Sequence, residues 1–235
     1  MITKNNFLDE VLSLDPCLIS VLERLNVPHK NVKGTITEAS EGSGNNPDFV
    51  LEILKAYSNK SYFPQKELTV FSTPCLIDYL RKTHRHYINK LLPQMEQSIT
   101  QLIKKFGLSH PDLVLLTYIF LKYKTELEEH IQNEEIKLFP YIESLLKAKQ
   151  HGIQYLDKIF KEYSIEQFIS AHDENELSLP EIREIIQDNS PLISLPMPYR
   201  IFLIQLELFE QDLLIHAKVE DEVLIPKALL LEKSI

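Results

Sequence analysis

The chain has 235 residues, 44% of them hydrophobic and 25% charged, with a net charge of −9. This is the composition of a globular protein with enough chain for a real core. The acidic balance and the lack of a basic patch argue against a nucleic-acid partner, and no stretch approaches the roughly 18 consecutive apolar residues of a membrane helix.

The opening MITKNNFLDEVL has no apolar segment behind a basic start, so no signal peptide is expected. Asp15-Pro16 can start a helix through LISVLERL, with Asp as N-cap and Pro at the first helical position. Three of the five glycines fall in NVKGTITEASEGSGNNPD, which reads as loop. Asn46-Pro47 can start a second helix through DFVLEILKAY, and NKSYFPQKELTVFS reads as a linker. Residues 1–62 are therefore expected to form a small helical domain, with 63–72 as linker and 73–235 as a longer, more regular one. Cys17 and Cys75 have neither metal-type nor disulfide-type spacing, which fits a reducing cytoplasm.

Four long helical patterns follow. Thr73-Pro74 opens the first, which runs to Gly107 with Pro93 as an internal kink. Ser109-His110-Pro111 opens the second, which runs to about Lys149. GIQYLDKIFKEYSIEQF leads into the third, which Pro180 interrupts; Ser178 to Glu181 could restart it as a capping box. SLPMPYR opens the fourth. Four such segments with short connections predict an all-α antiparallel four-helix bundle.

Two of these patterns end alike. HIQNEEIKLFP and HAKVEDEVLIP both read HxxxExxxLxP, 86 residues apart (His130 and His216). His and Glu four apart share one helix face. In the second helix Leu113, Leu116, Phe120, Tyr123, Leu127, His130, Glu134 and Leu138 follow three-four spacing. In the fourth, Phe202, Leu206, Phe209, Leu213, His216, Glu220 and Leu224 do so. Both His/Glu pairs thus fall on an apolar stripe, where an unpartnered carboxylate costs several kcal/mol. In the first helix Ile77, Leu80, His84, Ile88, Leu91 and Met95 make the stripe, and His86 points away. In the third, Phe168, His172 and Leu179 share a face.

The inward set is His84, His130, Glu134, His172, His216 and Glu220. Four imidazoles and two carboxylates match a dinuclear centre: two His on each metal, both Glu bridging, and an oxo or hydroxo group as a third bridge. Mixed N/O ligation without thiolate suits iron; manganese and zinc rank behind it. A single inward His is ordinarily a satisfied core residue, and the repetition is what argues for ligands here. His29, His86, His110 and His151 keep that ordinary reading. Glu128, Glu129 and Glu135 read as a solvated acidic face, and the proline ten residues past each motif His reads as helix-end punctuation. Glu126 lies one turn before His130. Tyr87 and Tyr123 lie near the stripe, where core packing is their first job and a hydrogen bond to a bound ligand their second. ExxH, HExxH and CxxC spacings are absent, which weighs against ferritin-type, zinc-protease and thioredoxin-like chemistry.

THRHYINKLLP, HIQNEEIKLFP, SAHDENE and HAKVEDEVLIP resemble the four helix signatures of the hemerythrin-like HHE family, and within it the di-iron proteins for repair of iron centres (the RIC family). The resemblance covers about 72–230, and the N-terminal part resembles the short helical domain that precedes the bundle in that family. It implies a four-helix bundle with two non-haem irons that repairs or protects iron–sulfur clusters under oxidative or nitrosative stress, by donating iron or handling NO. Damaged or apo iron–sulfur proteins would be its partners, O2 or NO its small ligands, and a homodimer one assembly open to it. A sensor or carrier of O2 or NO is the second reading, and a di-iron NO or peroxide reductase the third. Oxygen-carrying hemerythrins use a His-richer ligand set, which leans toward repair. Two features depart from many relatives. LNVPHKNVKGT lacks a cysteine pair, and Ala171 stands where an acidic residue precedes the third His.

Overall fold

The computed structural model describes residues 2–30, 33–107, 112–155, 163–172 and 196–235, with the backbone alone for 112–114, 155, 171 and 172. The helix start at Ser109-His110-Pro111, the restart at Ser178 to Glu181, Pro180 and Leu179 lie outside the described residues. Among the described residues the regular structure is helical, apart from an isolated bridge between Phe7 and Thr35. The chain divides into two compact units. One is Met1–Thr83 with Asp212–Leu230, and the other is His84–Gln211 with Leu231–Ile235.

The first unit holds five short helices: α1 (Leu8–Leu14), α2 (Leu18–Arg24), α3 (Ile36–Gly42), α4 (Pro47–Ser58) and α5 (Gln65–Thr69). Asn46 caps α4 as expected, its side chain accepting from the backbone N–H groups of Asp48 and Phe49, with Pro47 at the first position. α2 begins two residues later than expected. Asp15 and Pro16 form a turn, and the Asp15 carboxylate accepts from the Cys17 N–H at 3.1 Å. α3 and α5 stand where the sequence predicts loop and linker. α3 exists because Thr35 and Glu38 form a reciprocal capping box, which supplies partners for the free N–H groups of its first turn. α2 stops in a Schellman end: Asn26 takes the left-handed conformation, Val27 N–H bonds Leu22 C=O, and Asn26 N–H bonds Glu23 C=O. The unit's core is Leu18, Val21, Leu22, Ile53 and Leu54, with Phe49 edge-on to Phe71 and Tyr79. Each such aliphatic side chain contributes about 1.5–3 kcal/mol by leaving water.

The remaining helices are α6 (Thr73–His86), α7 (Leu92–Phe106), α8 (Asp112–Asn133), α9 (Phe139–His151), α10 (Ile165–His172), α11 (Met197–Val219) and α12 (Ile225–Glu232). In the second unit α7 runs antiparallel to both α8 and α11. Glu96 pairs with Lys124 and His84 with Glu134 along the first pair. Phe106 meets Tyr199, Ser98 bonds Gln205 and Tyr87 meets Phe209 along the second. Tyr123 and Phe209, 86 residues apart like the two motif histidines, touch ring to ring at 6.4 Å. Contact between equivalent positions is what a two-fold repeat produces at its axis. Gly152 ends α9 at φ +107°, a conformation open to glycine alone at little cost.

Three of these helices continue through a proline. A five-residue π-turn joins α6 to α7 (Tyr87–Leu91), α8 to α9 (Glu134–Leu138) and α11 to α12 (Glu220–Leu224). Each closes with a backbone bond across five residues: Leu92 N–H to Tyr87 C=O, Phe139 N–H to Glu134 C=O, and Ile225 N–H to Glu220 C=O. The next residue is proline each time: Pro93, Pro140 and Pro226. Proline lacks an N–H and crowds the carbonyl four residues back, and the wider turn accommodates both effects. The prolines at 140 and 226 therefore mark a register change inside a helix, not the end of one.

Candidate metal centre

The π-turns decide which side chains face inward. Three-four spacing placed Ile88 on the stripe of the first helix. The inserted residue puts Tyr87 and Leu92 there instead, Met95 is buried as expected, and Ile88 is exposed. In the fourth helix Leu213 is half-buried, and Asp212 is the buried residue. In the repeated motifs the π-turn begins at the glutamate itself, Glu134 or Glu220.

In the second unit three of the expected residues meet. His84, buried near the end of α6, points Nε2 at Glu134 Oε2, 3.1 Å away. His130, one turn before Glu134, brings its Nε2 to within 2.5 Å of Oε1. Glu134 is 0% exposed. Neither of its oxygens receives a properly directed hydrogen bond. Its carboxylate and two imidazole nitrogens thus converge without hydrogen-bond alignment, as ligands to a shared cation do. Burial pushes the Glu134 carboxyl up, but His130 and His84 beside it hold it well below the ordinary carboxylate range. Burial pushes His84 down, and the neighbouring carboxylates of Glu134 and Glu135 outweigh this, leaving it raised.

Glu135 corrects the sequence reading. It is not part of a solvated face: its Oε1 lies 2.8 Å from His84 Nδ1. The His84 ring also stacks on Phe139, 5.6 Å away and 9° from parallel. Consecutive carboxylates thus hold both nitrogens of one imidazole. The Glu135 contact at Nδ1 orients the ring so that Nε2 faces Glu134. His86, expected to point away, is buried at 9% exposure, because Thr83, His84, His86 and Tyr87 bury consecutive faces of this helix end.

In the first unit His216 and Glu220 are both buried, with Nε2 and Oε2 3.7 Å apart. His172 is the last residue of α10, and its side chain lies outside the described residues. Tyr87 and Tyr123 are buried and both sit edge-on to Phe209; burial raises the Tyr123 phenol, which stays protonated and a hydrogen-bond donor. Glu126 is partly exposed, 3.7 Å from Lys122.

Residues 75–228 match the hemerythrin HHE cation binding domain, over more than half of the chain. The chain belongs to the hemerythrin HHE family. Its fold is accordingly the all-α, hemerythrin-like helical bundle, and the domain is one that binds cations. The chain is also 22% identical over 154 residues to the iron-sulfur cluster repair protein ScdA of Staphylococcus haemolyticus (strain JCSC1435). That match spans 66% of this chain and 66% of the relative, slightly under two thirds of its length. The residues fit the family's cation. The His84–Glu134–His130 cluster offers N and O donors, and its buried carboxylate needs a positive partner. Among the described residues no helix is long and apolar enough to cross a membrane.

Sequence reasoning missed Glu135 and Asp212. A signal existed for both. An acidic residue follows the motif glutamate in each copy (Glu135, Asp221), and one precedes each motif histidine by four (Glu126, Asp212).

Proposed function

We propose that this chain is a non-haem di-iron protein that repairs or protects iron–sulfur clusters under oxidative or nitrosative stress, by supplying iron or handling NO. Its ligands are His84, His130, Glu134, His172, His216 and Glu220, with both glutamates bridging. Residues 73–235 form the metal-binding domain, 1–62 an N-terminal helical domain and 63–72 the linker. The observation that carries this reading is Glu134, a fully buried carboxylate facing two imidazoles inside a hemerythrin HHE domain, repeated as His216 and Glu220. The similarity to an iron-sulfur cluster repair protein supports cluster repair as the role and iron–sulfur proteins as partners.

Bound iron would supply an exchangeable metal and a place for a small ligand. This chain's residues set how firmly it is kept. His84 is locked between Glu134, Glu135 and Phe139, whereas the His130 side chain is 30% exposed. One ligand reachable from water supports release to a client over permanent storage.

The test is iron per chain and the near-ultraviolet spectrum of iron-loaded protein, followed by transfer to an apo iron–sulfur protein. Two irons per chain and reconstitution of the client are expected. One zinc or no metal in protein prepared with ample iron overturns the di-iron reading. Two irons that bind O2 reversibly and never leave overturn donation in favour of a carrier.

A further inference from the structure

Asp212 and Arg24 form a buried pair that the metal reading does not use. They stand 188 residues apart, in α11 and at the last position of α2. Arg24 is 5% exposed and Asp212 6%. The guanidinium grips the carboxylate with both prongs: Nη1 donates to Oδ1 at 2.7 Å, and Nη2 donates to Oδ2. The Tyr57 hydroxyl donates to Oδ1 at 2.9 Å, accepts from Arg24 Nη1 at 3.0 Å and lies 3.2 Å from the Tyr79 hydroxyl. The Arg24 guanidinium also lies over the Tyr57 ring. The Schellman end of α2 fixes where Arg24 begins, so the fork arrives from a rigid point.

Such a pair gives little net stability, because two desolvation costs offset the attraction. What it does supply is geometry: a bidentate fork fixes Asp212 in place and in rotation about the helix axis. His216 is the next inward residue of that face, one turn further. The other copy of the repeat has an acid at the same offset, Glu126, but there it is partly exposed and near a lysine of its own helix.

We propose that Arg24, through Asp212 and with Tyr57, is a positioning residue for His216. The N-terminal helices then set the orientation of one iron ligand. This rests on His216 being a ligand, as proposed above.

The full chain carrying Arg24→Leu and Asp212→Leu together tests it, since replacing a buried pair by apolar residues tends to preserve folding. Two readouts decide: the imidazole 15N signals of His216 in metal-free protein, and the rate at which a chelator removes iron from loaded protein. Expected are shifted or averaged His216 signals, a melting temperature near the native one and iron loss about tenfold faster, the scale seen when the partner that orients a ligand is removed. Native His216 signals or native iron release in the folded double variant overturns the proposal. If the double variant does not fold, Tyr57→Phe, which removes one bond to Asp212 and keeps the ring, is judged on the same two readouts by the same rule. If native protein holds no iron the ligand reading fails by itself, and the His216 signals alone decide the positioning claim.

Discussion

The two copies of HxxxExxxLxP have the same backbone, an α-helix passing into a π-turn at the glutamate, and different surroundings. In the first, Glu134 is pressed between His84 and His130, and His130 keeps 30% of its side chain in water. The acid one turn earlier, Glu126, is partly exposed near Lys122. In the second, His216 and Glu220 are both buried, and the acid one turn earlier is clamped by Arg24. The repeat specifies donor types and their spacing, while what packs around each copy sets how firmly its donors are held. The first copy keeps one donor in contact with water, and the second buries both.

The largest expected effect tests the shared part. Glu134→Ala and Glu220→Ala should each leave at most one iron per chain, because in the proposed site each carboxylate would serve both ions and supply charge that neutral imidazoles lack. If either variant keeps two irons, that glutamate does not bridge and the copies are not equivalent. Histidines sharpen the difference. Water can take the place of the partly exposed His130 imidazole, so His130→Ala should retain more iron than His216→Ala. Equal loss would erase the distinction drawn from exposure.

Glu135 comes next in size. Removing its bond to His84 Nδ1 while keeping its shape, as Glu135→Gln, should weaken iron binding by about tenfold. Asp221 stands at the same place in the second copy, so Asp221→Asn asks whether both copies use this acid. His86→Ala should leave affinity near native while lowering thermal stability, since His86 is buried but is not among the proposed ligands. Affinity measured on folded variants separates the two effects.

Much of this was legible in the sequence. Apolar spacing gave the long helices, Asn46-Pro47 gave a helix start, and the repeat pointed to the pairs His130–Glu134 and His216–Glu220, whose members lie side by side. The rest failed for identifiable reasons. A periodicity argument assumes 3.6 residues per turn, and a π-turn breaks that assumption, so Ile88 was placed inward where Tyr87 belongs. Glu135 lies beside an inward residue, and its bond to His84 depends on how two helices meet. Arg24 and Asp212 join positions 188 residues apart, and no local pattern records such a pairing. α3 was missed although Thr35 and Glu38 carry a capping-box spacing, because the surrounding glycines drew the reading toward loop.

Acidity should separate metal-free from iron-loaded protein. His84 is raised above its ordinary 6.5, so its pairing stabilises the metal-free fold fully below that value and is lost as pH rises through the raised one. Glu134 is lowered below its ordinary 4.5, so its contribution is present above that value and is lost as pH falls through the lowered one. The metal-free melting temperature should thus be highest in mildly acidic solution and decline toward alkaline pH. Iron held by His84 as proposed would take the place of the imidazole proton, so binding should strengthen as pH rises and the loaded protein should not show that decline. Parallel declines in both forms would show that iron does not sit at His84.

The smallest effect separates the two π-turns. Proline at 140 and at 226 removes a backbone donor and frees the carbonyl four residues earlier, at Ile136 and Glu222. In the first copy Ile136 and Lys137 are exposed, so water can serve that carbonyl. In the second copy Val223, Leu224 and Ile225 are buried, and the Gln65 side-chain amide donates to Glu222 C=O at 3.1 Å. Gln65→Ala should therefore cost about 0.5–1.5 kcal/mol, the usual net worth of one hydrogen bond. Pro226→Ala restores a backbone N–H near that carbonyl, so in its presence Gln65→Ala should cost less. The four melting temperatures of this double-mutant cycle give the coupling directly. If the two changes add, Gln65 does not compensate for the proline, and the second π-turn needs no help from the N-terminal segment.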